Sequence, residues 1–399
     1  MDGMIALGAA CLLIRLGLTL YRTGLLRAKN AAGAVLRVFA DLCVSTLAFW
    51  LIGAAILVQT HNRVFSVDLN TIAFESGGTA DLFFLMTVIL IGTGVVGGAL
   101  AERTRFFSAW AASALIAAIL IPIGANWAWS GWLAHLGFID AAGASWLHLA
   151  PAVCALVGAM TVGPRSGKYH RDGSTSMIPG HNIPLIGVGV AAMLAGWVPY
   201  LAGCLIYTHQ GAVIGPAAVS ALLAGAAAGL AALLVGHYRY GKPDVILTLF
   251  GFLGGLVSIT AGAGRISAPW AVLIGAVAGI LVTYASVWID LIAHVDDPVG
   301  AIAVHGVAGV WGTLAAGLLT RGSTLHRLHQ TGVQLIGIVA IGLLALVLSG
   351  VLFAVLKATV RLRASEADEF DGLDLAEHDI GAYPDFQQNT IKSYHLREA

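Results

Sequence analysis

The chain has 399 residues, of which 58% are hydrophobic and 11% charged, with a mean hydropathy of +0.86; soluble domains carry roughly 25% charged residues. Its 21 basic and 21 acidic side chains cancel, and no basic stripe runs along any segment, which leaves nucleic-acid binding without electrostatic support. The four cysteines, Cys11, Cys43, Cys154 and Cys204, lie in or beside apolar runs and lack the spacing of a disulfide framework or a zinc site.

Apolar runs of about 20 residues, long enough to span a bilayer, recur from the first residues almost to position 360. The chain reads as an all-α integral membrane protein with eleven transmembrane helices, near 3–21, 36–58, 81–100, 107–128, 142–162, 183–205, 213–236, 246–263, 269–292, 299–320 and 333–358. No basic stretch precedes the first run, so it reads as a span and not as a cleaved signal. Basic residues sort the connections. The loops with Arg22, Arg27 and Lys29, with Arg103 and Arg105, with Arg165 to Arg171, with Arg239 and Lys242, and the tail together hold fifteen Lys and Arg, against four in the opposite loops. Short basic loops stay in the cytoplasm, which predicts a cytoplasmic C-terminus and, for an odd number of spans, an N-terminus outside. Small residues four apart, Gly94 with Gly98 and Gly225 with Gly229, predict close helix packing. Beyond 360 the composition turns acidic, and 361–399 reads as a cytoplasmic tail too short and polar for a core of its own.

One pattern occurs twice. DAAGASWLH runs from Asp140 to His148 and DPVGAIAVH from Asp297 to His305, both of the form D-x-x-G-A-x-x-x-H. Eight residues of helix cover about 12 Å. In the predicted orientation the first motif enters from outside and the second from the cytoplasm, so both rings approach mid-membrane. This predicts an inverted repeat, about 1–165 and 180–320 within a transmembrane domain of 1–360, with helix eleven added and the site at the repeat interface. Two imidazoles at one depth can hydrogen-bond to each other and pass a proton. The structural alternative is a histidine bonded to a neighbouring carbonyl. A metal site lacks a third ligand at suitable spacing, and an enzyme lacks an activated nucleophile, so neither a metal, a cofactor nor a catalytic residue is predicted. Asp140 and the Asp296-Asp297-Pro298 run suit helix N-termini; Asp140 could also lend negative potential to an external cation site.

These residues resemble the ammonium transporter family (Amt/Mep/Rh) over nearly the whole chain. The resemblance rests on GALAERTRF at 98–106, the twin-histidine helices, HNIP at 181–184, VDDPVGAIAVHGVAGVWGT at 295–313 and EFDGLDLAEH in the tail. It implies a homotrimer with one narrow apolar pore per subunit, lined by His148 and His305, carrying ammonium or ammonia, with methylammonium as an alternative. It also implies an outer aromatic vestibule with Trp129 as its cation-binding tryptophan, whereas Trp127 and Trp132 equally suit an interfacial belt. Phe84 falls at the first outer pore phenylalanine and Trp197 at a matching tryptophan. Elsewhere the chain departs from the pattern: Val88 stands for a gating phenylalanine, Leu85 for a glutamine, Tyr200 for a gate phenylalanine, Leu201 for an asparagine, and Cys204 for the serine that accepts from bound ammonium. Arg15 is an unexpected charge in the first helix. The resemblance further implies that the tail, at 361–384, packs across subunits and supports P-II signalling proteins at the cytoplasmic face; the short loops suit a bacterial inner membrane. The altered outer gate leaves an ammonium sensor as the alternative function.

Overall fold

The computed structural model describes residues 2–57 and 78–383, and the regular elements among them are helices. Nine are long and apolar enough to cross a bilayer: α1 (Asp2–Leu25), α2 (Ala28–Leu57), α3 (Thr79–Ala99), α4 (Phe106–His135), α5 (Ala144–Val162), α6 (Ile183–Tyr207), α7 (Ile214–Tyr240), α9 (Ala268–Leu291) and α11 (Thr324–Thr359). Two apolar helices are shorter, α8 (Val245–Ile259) and α10 (Ile302–Leu318). The 15 residues of α8 rise about 22 Å, less than the ~30 Å hydrocarbon layer. The missing length is replaced by folded loop. The chain after α8 turns back so that the Thr260 and Ala261 carbonyls accept from Ala142 and Ala141 at 3.2 and 3.0 Å, which fixes the segment before α5.

Boundaries shift where polar side chains find partners. The second span was expected from 36, yet α2 starts at Ala28, because Asn30 is buried, bonded to Glu102 and to Leu373 of the tail, instead of marking a loop. α11 begins nine residues before the expected 333. Close packing follows small residues as expected: Gly225 and Gly229 rest on Phe252, and Cβ atoms on Gly275 and Gly279 would lie 2.1 Å from the Ala224 and Ala228 carbonyls.

The tail folds back as two short helices, α12 (Glu366–Asp371) and α13 (Leu373–His378). Ser365 and Asp368 form a capping box at the start of α12. Asp374 accepts from the backbone N–H groups of Ala32 and Gly33 at 2.8 and 2.7 Å, so it caps the first turn of α2. Glu369 accepts from Ser166 N–H at 3.0 Å and from Arg363, while Glu377 pairs with Arg37. The tail therefore lies on its own chain. Residues 384–399, including the stretch 391–399, fall outside the described residues.

Candidate functional site

The two motif histidines meet. His148 and His305 face each other through Nδ1 atoms 3.1 Å apart, with ring planes inclined by 17°. Both are buried, His148 completely and His305 to 9% exposure. One Nδ1 must donate and the other accept, so in the neutral pair one ring presents a bare Nε2 and the other an Nε2–H. The His148 Nε2 is buried without a partner.

Local backbone explains the placement. Each histidine lies in a widened π turn, Ala144–Leu149 in α5 and Ile302–Val307 in α10. In α5, Pro151 cannot donate to the preceding turn and crowds it, and the ladder loosens just before it; His148 N–H reaches back to the Gly143 carbonyl. In α10 the corresponding relief comes with glycines. A Cβ on Gly309 would stand 2.6 Å from the Ala144 carbonyl oxygen, so glycine lets α10 press onto the start of α5.

The aspartates hold the two helix starts. Asp140 accepts from Gly143, Ala144 and Ser145 N–H at 2.8, 2.8 and 2.9 Å, and from the Ser145 hydroxyl. Asp297 accepts from Ile302 N–H at 2.7 Å and Val299 N–H at 3.3 Å. Burial pushes both carboxyls up from the usual range, and these backbone bonds offset only part of that rise. Asp297 belongs to the far end of the bundle and does not approach the histidine pair's outer side.

Trp197 stacks on His148 with centroids 5.6 Å apart and planes inclined by 6°. Tyr200, fully buried, meets both rings edge-on, and its hydroxyl donates to the Ala142 carbonyl. Phe84 is packed so tightly on α6 that a Cβ on Gly203 would lie 2.1 Å from its ring. Cys204 and Val88 are buried with it. Trp129 sits elsewhere: it lines a cavity of about 500 Å³ with Asp81, Asp140, Tyr207, Gln210 and Arg265. Its Nε1 donates to the Asp140 carbonyl at 3.0 Å, and its ring meets Trp146 at 4.7 Å and Tyr207 at 5.4 Å. The expected outer group thus divides into an open part, Trp129, and a sealed part, Phe84, Tyr200 and Cys204.

Three features went unread in the sequence. Asp81 and Tyr207 line the outer cavity. Gln334 of α11 clamps the loop before Asp140, donating to the Ile139 and Thr313 carbonyls at 2.7 and 2.9 Å and accepting from Ile139 N–H at 2.8 Å; a glutamine within an apolar helix was its visible signal. At the tail-bearing end, Arg165 bridges Glu102 at 2.7 Å and Asp296 at 2.8 Å, and Glu102, at φ 68, also accepts from Arg27 N–H and the Asn30 amide. Burial would raise both carboxyls, but the Arg165 guanidinium overrides it: Glu102 lies below its ordinary value and Asp296 is held down at about 2. This knot accounts for GALAERTRF and VDDP as structural joints. Among the described residues no group of three metal-binding side chains converges.

Apolar helices of this length make the chain an integral membrane protein, and the feature set apart in its interior is a pair of facing imidazoles beneath an aromatic cavity. The chain belongs to the ammonium transporter family: the model described as Ammonium Transporter Family matches residues 3–383. Ammonium transporter Amt2 of Archaeoglobus fulgidus is 33% identical over 413 residues, covering 95% of this chain and 87% of the relative. Ammonium transporter Amt1 of Haloferax mediterranei is 30% identical, covering 93% and 76%. Among solved structures, one described as Sensor Amt Protein superposes with a TM-score of 0.88 at 33% identity, covering 94% of this chain and 97% of the other. Saccharomyces cerevisiae Mep2, at 22% identity, shares the fold with a TM-score of 0.82, covering 92% and 88%.

Proposed function

We propose that the chain moves ammonium-derived nitrogen across the membrane past His148 and His305. The observation that carries this reading is the imidazole pair, 3.1 Å apart in an apolar interior. A bare ammonium ion loses several kcal/mol or more of hydration in such surroundings, so it gives up its proton at the outer side and crosses as ammonia. The pair offers the moving ammonia one acceptor and one donor, and the hydrogen bond between the two rings is a route along which the released proton can pass. Trp129 and Tyr207, with Asp81 and Asp140 beside them, form the recruiting cavity; a cation over an indole face gains about 0.5–2 kcal/mol. In this reading all eleven helices cross, the two halves are inverted repeats, the N-terminus is outside, and the tail is cytoplasmic in a bacterial inner membrane. Three such chains form a homotrimer whose tail face meets P-II signalling proteins, and methylammonium is an alternative substrate.

A second reading, ammonium sensing, is favoured by one observation. Tyr200 is tied by its hydroxyl to the Ala142 carbonyl directly above the histidines, in a layer sealed by Phe84, and a relative of high structural similarity is described as a sensor. Reconstitution in liposomes separates the two. Transport predicts a saturable ammonium-evoked current that disappears in His148→Ala/His305→Ala. Folded wild type that binds ammonium and carries neither current nor, in a pH-jump assay, ammonia flux would establish the sensor instead.

A further inference from the structure

α1 carries two arginines within its apolar run, Arg15 and Arg22, two turns apart and so on one face. Both lie across glycines of α3. A Cβ on Gly94 would stand 2.7 Å from Arg15 Nη1, and one on Gly97 would stand 3.0 Å from Arg22 Nη1. α2 faces the same seam with Arg37, Asp41 and Ser45, all buried.

The charges in this seam do not balance. Arg15 pairs with Asp41 and donates to the Leu90 and Val38 carbonyls, each at 2.8 Å, although its Nε is buried without a partner. Arg37 pairs with Glu377 of the tail. Asp41 also accepts from Ser45 at 3.1 Å and Thr93 at 3.2 Å, so three of its roughly four acceptor positions are filled. Arg22 is left over. It is 7% exposed, its Nε is buried without a partner, and its guanidinium makes no hydrogen bond or ion pair with any described residue. The hydroxyl of the adjacent Thr23 is also buried without a partner. Asp41 attracts it without bonding to it, being already paired with Arg15; a desolvated guanidinium with no bonded counter-charge is costly, and its planar fork of donors matches the oxygens of a phosphate group. Arg22 lies three residues before Leu25, about 5 Å from the end of α1, at the face where α12 and α13 dock. That is the depth of lipid phosphates.

We propose that Arg22 is the anchor of a phosphate site between α1, α2 and α3, filled by the headgroup of an anionic lipid in the leaflet next to the tail. Free phosphate carries the same chemistry, so the test distinguishes the sources. The site uses neither histidine and stands independently of the transport reading.

The full chain is purified in detergent, stripped of lipid, and given phosphatidylglycerol, phosphatidylcholine or inorganic phosphate at constant ionic strength. Retained lipid is counted by native mass spectrometry and the melting midpoint is followed. Wild type is expected to retain phosphatidylglycerol and melt higher with it, and Arg22→Gln is expected to hold it about tenfold more weakly. Arg22→Lys, which keeps the charge without the fork, falls between and guards against misfolding in the neutral variant. An equal upward shift with inorganic phosphate alone, lost in Arg22→Gln, keeps the site and assigns it to the free anion. Equal retention and equal melting shifts in wild type and both variants overturn the proposal. So does a change of oligomeric state in Arg22→Gln without a change in lipid retention, which would place the missing counter-charge on a neighbouring copy.

Discussion

Asp140 is the point at which the geometry of the histidine pair is most exposed to a single substitution. Its carboxylate accepts four hydrogen bonds, two at each oxygen, from the first turn of α5. Asp140→Asn keeps the size but turns one oxygen into an NH2 group facing donors, so two bonds to a charged acceptor are lost. At about 1.5–3 kcal/mol each the gross loss is about 3–6 kcal/mol. Neutralising a buried carboxylate returns part of it, leaving a net cost of about 2–4 kcal/mol. Ser145→Ala removes one of the four bonds and costs less. The widened turn that carries His148 begins at Ala144, so loosening it misplaces the ring relative to His305. The expected order of melting midpoints is wild type, Ser145→Ala, Asp140→Asn, with ammonium-evoked current in liposomes falling about tenfold or more in the last. A normal midpoint and a normal current in Asp140→Asn would refute the argument that this cap positions the histidine. A normal midpoint with lost current would instead assign Asp140 to the cation.

Tyr200→Phe keeps the ring packed on Trp197 and His148 but releases the Ala142 carbonyl; one buried hydrogen bond of about 1 kcal/mol shifts the gate about fivefold towards open, and where wild type conducts, an unchanged current in the variant would exclude the hydroxyl as a latch. Asp296 has a folded value of about 2 against an ordinary 3.8, so its ion pair with Arg165 contributes fully above pH 3.8 and is lost as pH falls towards 2. The contribution is on the order of 2 kcal/mol. Arg165→Gln should therefore melt lower at pH 7 and lose most of the difference from wild type near pH 2, which thermal melts across that range would check. Asp374→Asn withdraws two charge-assisted caps from α2, and amide exchange at Ala32 and Gly33 should rise with it while the histidine helices stay protected.

Much of the architecture was legible because the bilayer imposes simple rules. An apolar run of fixed length has few alternatives, and a repeated D-x-x-G-A-x-x-x-H carries its own geometry: a cap, a glycine and a histidine two turns on. The His148–His305 contact follows from that repetition. What could not be read were relations between distant polar residues. Arg37 and Asp41 look like interruptions of a span until Glu377 and Arg15 are placed against them. Gln334 looks like a tolerated polar residue until the Ile139 backbone bonds to it on both sides. The division of the outer residues was equally hidden, since chain order gives no sign that Trp129 opens to a cavity while Phe84 and Tyr200 are sealed.

The sealed layer bears directly on whether the chain conducts or senses. A ligand shifts an equilibrium only by the difference in its affinity for the two states. Ammonium in the outer cavity can touch Trp129, Tyr207 and Asp140, and Asp140 is bonded to the turn that carries His148, while the neighbouring Ala142 carbonyl receives the Tyr200 hydroxyl. In the proposed reading, occupancy of the cavity is coupled to the latch through the two residues of backbone that lead from Asp140 to Ala142, and the latch is the tyrosine that stands where the resemblance implies a phenylalanine. A phenylalanine there would have no bond to break and nothing to report. Opening of the latch by a bound cation gives conduction when the path below it is continuous. The same opening gives a signal when it is not, and the current of Tyr200→Phe decides between them, because removal of the latch restores conduction only where a continuous path exists.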